Sequence, residues 1–192
     1  MFKWSGKTRL PSLISGWLFA GMVTASTAHA AEDLFLKLEG IQGESTDSAH
    51  RNEIVLLSYS QSFTNPVASG GSGGAAGSVQ PNCGAITVTK LVDRSSAALI
   101  GGVLSGKLIS TGVITFRKAG AQPLEYYKVT LTDVLIHAIS QTDVSPTDPT
   151  TILEQISMSA VRFKFEYTPQ KADGSPGRIV AFGWDCSSNN RF

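Results

Sequence analysis

Residues 161–167 read Val161-Arg162-Phe163-Lys164-Phe165-Glu166-Tyr167, apolar and charged side chains in strict alternation. Side chains of an extended strand alternate between its two faces, so one face of this run is apolar and the other carries Arg162, Lys164 and Glu166. That is the pattern of a half-buried antiparallel strand whose charged side meets solvent or a partner. It ends a longer extended segment, residues 152–167, and most of the preceding sequence repeats the same period. Leu34-Phe35-Leu36-Lys37-Leu38 opens the series and is stopped by Gly40 and Gly43. After the polar loop Glu44-Ser45-Thr46-Asp47-Ser48, residues 54–63 form a second strand and residues 85–92 a third, with Ile86, Val88 and Lys90 on one face. Residues 113–118 and 124–135 form a hairpin joined through residues 119–123. In its second arm Tyr127, Val129 and Leu131 share one parity and Val134 and Ile136 the other. A slip of one residue predicts a bulge or sharp bend near Thr132-Asp133, and strongly bent strands belong in closed or nearly closed barrels.

The rest of the chain fits the same frame. Residues 141–149 are a polar, proline-bearing loop, Asp173-Gly174 and Pro176-Gly177 a turn, residues 179–184 the last strand and residues 187–192 a short tail. One helix is predicted. Asp93-Arg94-Ser95-Ser96 supply cap residues, Leu99, Ile100, Val103 and Leu104 follow at helical spacing, and Gly106 sits where the helix stops. The sum is an all-β fold: an antiparallel barrel or sandwich with one short α-helix packed on the side.

The first thirty of the 192 residues do not belong to that fold. Lys3, Lys7 and Arg9 precede an apolar stretch around Leu13, Trp17, Phe19 and Val23, and Ala28-His29-Ala30 gives a small-x-small ending. This reads as a secretory signal peptide, residues 1–30, cleaved between Ala30 and Ala31. The competing reading is a membrane anchor, but the apolar stretch is about half the ~20 residues a spanning helix needs. Cleavage leaves one domain, residues 31–192, with 13 basic and 15 acidic residues. A balance so near neutral gives no electrostatic reason to expect nucleic acid or anionic lipid as a partner.

Cys83 and Cys186 are the two cysteines. In an oxidising compartment an isolated pair forms a disulfide, here closing a loop of about 100 residues, which stabilises by roughly 4–5 kcal/mol in the chain-entropy model. Two unrelated thiols are the alternative. Without a CxxC or paired histidines they do not fill a tetrahedral metal site, and no metal or cofactor is expected. No catalytic group is expected either. His50 lies in a polar loop and His137 at a strand end, and no GxSxG elbow surrounds a serine. Asp93, Glu125, Asp133 and Asp185 fall near strand ends with nothing to bring two of them together, and Trp184 and Tyr126 serve equally as core or rim aromatics. Gly70, Gly71, Gly73, Gly74 and Gly77 lie in a Gly/Ser/Ala tract with linker composition. The tract lacks the GK[ST] ending of a phosphate loop. A long loop of this kind is either a functional contact loop or a passive insertion.

Several segments together resemble one family. They are Leu34-Phe35-Leu36-Lys37-Leu38-Glu39-Gly40-Ile41-Gln42-Gly43-Glu44-Ser45, then Thr89-Lys90-Leu91-Val92-Asp93-Arg94-Ser95-Ser96, then Phe116-Arg117-Lys118-Ala119-Gly120 leading to Gln122-Pro123-Leu124-Glu125-Tyr126, and last Phe182-Gly183-Trp184-Asp185. In order and spacing they resemble the haemolysin-coregulated protein (Hcp) family, tube subunits of the type VI secretion machine. The resemblance implies a β-barrel that assembles into hexameric rings, stacks into a hollow tube and carries effector cargo, with no enzyme activity. It also implies that the glycine-rich loop reaches neighbouring subunits. A Sec-type leader departs from the family, whose subunits assemble in the cytoplasm, and places this chain in the periplasm or outside the cell. Two functions follow: a type VI tube-like structural protein or secreted effector, or an exported, non-catalytic binding module that reuses the barrel.

Overall fold

The computed structural model describes residues 32–65, 81–120, 123–144 and 151–192. The leader, its cleavage point at Ala30 and Ala31, and the glycines Gly70, Gly71, Gly73, Gly74 and Gly77 lie outside the described residues. In chain order the elements are β1 (Glu32–Leu38), β2 (Ile54–Leu56), β3 (Ser58–Thr64), β4 (Asn82–Leu91), α1 (Ser96–Ser105), β5 (Leu108–Lys118), β6 (Leu124–Asp143), β7 (Ile152–Tyr167), β8 (Val180–Asp185) and β9 (Asn190–Arg191). The strands form one antiparallel sheet in the order β2-β1-β5-β6-β7-β4-β3. Its two ends, β2 and β3, are consecutive pieces of one segment parted by Leu57, whose N–H donates to Thr89 O at 2.7 Å. The sheet therefore closes on itself as a barrel. The single strand expected over residues 54–63 is two, because its first part pairs with β1 and its second with β4.

The bend expected near Asp133 is present, and it extends beyond β6. Asp133 has φ 55°, a left-handed conformation. Buried residues on β6 switch from Val129 and Leu131 to Val134 and Ile136 across it. Its neighbours switch at the same level: Ile114 and Phe116 against Ile109 on β5, and Ile156, Met158 and Ala160 against Phe163 on β7. Ser110, Asp133 and Val161 are all skipped by the strand pairing. The registers of β5 with β6 and of β6 with β7 are unchanged across that level. One crease crosses three strands, which turns the barrel wall without a register slip. The slips lie elsewhere, between Phe116 and Arg117 and between Ile136 and Ala138, where His137 is the extra residue. Val161 consequently does not share the inward parity of Phe163, contrary to the simple alternation of residues 161–167.

The crease also divides the outer edge of β7. Residues 153–158 of that edge pair with β4, and residues 162–167 pair with β8. The sheet forks between them, and a disulfide between Cys83 and Cys186 spans the fork with Cα atoms 6.3 Å apart. The Cys186 N–H donates to Val161 O at 2.9 Å, using a carbonyl at the crease. Two segments extend further than expected. β6 runs through residues read as loop, because its polar end stays paired to β7 out to Asp143. The tail folds back as β9 on β8.

Helix α1 starts at N-cap Ser95 and ends at Gly106, whose φ of 62° is the left-handed C-terminal stop that glycine allows. Its buried residues are Ser96, Leu99 and Gly102. Gly102 faces Ile136 of β6. Leu104 was expected on the inward stripe; it projects outward, 83% exposed.

Candidate functional site

The charged side chains within the fold serve architecture first. Lys90 and Glu154 face each other across β4 and β7 and are both fully buried. Lys90 Nζ donates to Glu154 Oε2 at 2.6 Å, to Ser96 Oγ at 3.0 Å and to the Leu91 carbonyl at 2.8 Å. It also lies 2.8 Å from Asp93 Oδ1. Ser96 Oγ and Gln141 Nε2 donate to the two Glu154 oxygens at 2.7 and 2.8 Å. Burial pushes the Glu154 carboxyl upward, but the hydrogen bonds from Lys90, Ser96 and Gln141 outweigh it and hold the group below the ordinary glutamate value. This network ties the start of α1 to the barrel wall. Asp93 is consumed in it, accepting from the Ser95 N–H at 2.9 Å and pairing with Lys90.

A second cluster pins the loop after β1. Arg117 Nη2 donates to Asp33 and Asp47 at 2.9 and 2.7 Å, and its guanidinium lies 5.0 Å from the centre of the Phe35 ring. The Arg117 hydrogen bond holds the Asp47 carboxyl well below the usual carboxylate range, and the two aspartates raise the guanidinium in turn. His50 is buried and stacks on Phe35 at 4.2 Å. Its Nδ1 is 2.9 Å from Glu53 and its Nε2 is 3.4 Å from Glu125. The histidine thus packs between carboxylates on an aromatic ring, with no serine among its side-chain partners. His137 is exposed within β6 rather than at a strand end. Asp185 is held low by Ser187 and the following backbone, and it pairs with Arg162 at 3.0 Å. Glu125 sits beside His50 and pairs with Lys128 at 3.1 Å, while Asp133 lies at the crease of β6, so the four carboxylates singled out in the sequence occupy separate settings. Among the described residues no group of His, Cys, Asp and Glu is placed to hold a metal ion.

The charged strand face is on the surface, where Lys164 pairs with Glu166 at 2.9 Å. On the other side of the same strand the fork opens an apolar cleft of about 410 Å³ lined by Phe63, Pro81, Cys83, Tyr127, Phe165, Phe182 and Trp184. Phe63 packs edge-on against both Phe163 and Phe165, at 5.6 Å each, and Phe182 stacks with Trp184 at 6.1 Å. Trp184 is accordingly a cleft aromatic. Tyr126 stands away from the cleft, its hydroxyl bonded to Glu32, and burial pushes it up to about 12. The alternation of Phe182 and Trp184 was the available signal for the cleft. Phe63 and Tyr127 join it only through pairings distant in sequence.

The fold is a closed barrel with a side helix, and its ionic groups brace its own loops. Residues 35–167 match the family described as type VI secretion system effector, Hcp. The chain is 34% identical over 161 residues to the protein hcp1 of Pseudomonas aeruginosa, covering 83% of this chain and 98% of that one. It is similar to the crystal structure of Hcp1 from Salmonella typhimurium, with TM-score 0.66, 30% identity, and coverage of 84% of this chain and 99% of the other. A structure of a type six secretion system protein shares the fold at TM-score 0.78 and 21% identity, over 84% of this chain and all of that one. The chain belongs to the Hcp family of the type VI secretion system.

Proposed function

We propose that this protein is a non-catalytic structural component of a type VI secretion system. Its domain, residues 31–192, associates with itself into hexameric rings that stack into a tube and take effector cargo in the lumen. The observation that carries the reading is the family match over residues 35–167, together with barrel similarity to Hcp structures along nearly their whole length. In this reading the tract holding Gly70, Gly71, Gly73, Gly74 and Gly77 is a contact loop between subunits. The protein is exported, to the periplasm or beyond the cell, after cleavage between Ala30 and Ala31. The Cys83–Cys186 disulfide supports an oxidising destination. Among the described residues no helix is long and apolar enough to cross a membrane.

Size-exclusion chromatography with multi-angle scattering tests assembly: about six protomers per particle is the expected result, and a monomer at high concentration overturns it. Mass mapping of protein from its native host tests export. A mature N-terminus at Ala31 supports it, and a soluble product retaining Met1 returns the protein to cytoplasmic tube assembly.

A further inference from the structure

Across the fork, β7 and β8 set aromatic side chains directly opposite one another: Phe165 faces Phe182 and Phe163 faces Trp184. Residues opposite each other on paired strands share a face, and Trp184 is in turn opposite Arg191 of β9. Arg191 therefore stands on the face of the aromatic cleft, and its guanidinium lies 5.5 Å from the centre of the Phe182 ring. It is exposed, and among the described residues it makes no ion pair. The neighbouring charges lie on the opposite face and are already matched, Arg162 with Asp185 and Lys164 with Glu166. The cleft thus combines about 410 Å³ of apolar, aromatic-walled space with one unmatched cation at its rim. A volume in this range, aromatic walls and a single polar group that fixes orientation are the features of a small-molecule site.

We propose that the cleft binds an aliphatic monocarboxylate, a fatty-acid-like molecule whose chain lies on Phe165, Phe182 and Trp184 and whose carboxylate pairs with Arg191. A guanidinium presents parallel N–H donors that match the two oxygens of a carboxylate, and one free cation balances one negative charge. It is also more weakly hydrated than an ammonium, so pairing beside an apolar wall costs it less water. The shape of the walls selects the body of the ligand. Phe63 meets both Phe163 and Phe165 edge-on, so the rings do not form a parallel slot for a flat aromatic acid. A flexible chain follows such an uneven surface. The site is also held in place before anything binds, because the Cys83–Cys186 disulfide ties the β4 wall to the β8 wall. Rigid walls of this kind reduce the ordering cost of binding.

The test is titration of the exported chain, residues 31–192, with decanoate, and with decanol as the neutral probe of the same body. Trp184 is the only tryptophan in those residues, so its emission reports on the cleft directly. Decanoate is expected to shift that emission to shorter wavelength, saturably and below its micelle concentration. It is expected to bind about 10-fold tighter than decanol, the difference made by one charge-assisted contact. Arg191→Ala is expected to abolish that preference while leaving decanol affinity unchanged, and Arg191→Lys to keep part of it. Phe63→Ser and Phe182→Ala, each checked for unaltered circular dichroism, are expected to weaken both probes. Equal affinity of the wild type for the two probes overturns the assignment, as does an Arg191→Ala effect of the same size on both. Full affinity in both cleft variants, or tighter binding of 2-naphthoate than of decanoate in calorimetry, overturns it as well. A shift of Trp184 emission when the unliganded protein is diluted means that a second copy covers the cleft, and that result also overturns it.

Discussion

Asp133 sits in the left-handed region in the middle of a twenty-residue strand. A branched side chain pays most there and glycine least. Asp133→Val is expected to lower unfolding free energy by about 1–2 kcal/mol and Asp133→Gly to leave it equal or up to about 1 kcal/mol higher, measured by urea denaturation. The position was readable from the parity change in Tyr127 to Ile136, because burial leaves its period in the sequence. The Lys90–Glu154 pair was half readable. Lys90 fell on an inward parity with Ile86 and Val88, but its partner is fixed by the register of β4 on β7, which composition does not carry. Lys90→Ala strands a buried carboxylate and is expected to cost about 3–5 kcal/mol. The double change Lys90→Met, Glu154→Leu removes both charges and is expected to recover most of that loss in the same assay.

At the scale of elements, β7 is the strand on which the fold divides. Its edge serves β4 on one side of the crease and β8 on the other, and the disulfide joins those two partners. Cys83 and Cys186 are 103 residues apart in sequence. Replacing both with serine is expected to lower stability by about 4–5 kcal/mol in the chain-entropy model, read from denaturant midpoints under non-reducing conditions. The strands themselves were legible where apolar residues alternate. The lengths of β5 and β6 were not, because the polar ends of a paired ribbon look like loop residues when their side chains face water. Nor was the division of residues 54–64 between two neighbours, which depends on how the barrel shuts.

For the molecule as a whole, closure depends on pairs far apart in sequence, such as β1 with β5 and β4 with β7. Several of the braces are carboxylates whose protonation is suppressed in the folded state: Asp47, Asp185 and Glu154. A depressed folded value means that their stabilisation is complete above the unfolded carboxylate range near pH 4 and is lost as pH falls towards the folded values. The melting temperature is therefore expected to hold from neutrality to about pH 5 and then fall. Asp47→Asn should flatten that fall while lowering the plateau. The overall fold class was legible because period-two patterning and one short helix stopped by Gly106 agree with an antiparallel β-barrel carrying a side helix. The aromatic cleft was not, because it exists where the sheet forks. That fork has a mechanical meaning. Tension applied at Phe192 meets Cys186 before it can peel β8 from β7, and the covalent link passes the load to β4 in the closed wall. A passenger fused to the carboxyl end would be towed by the barrel itself.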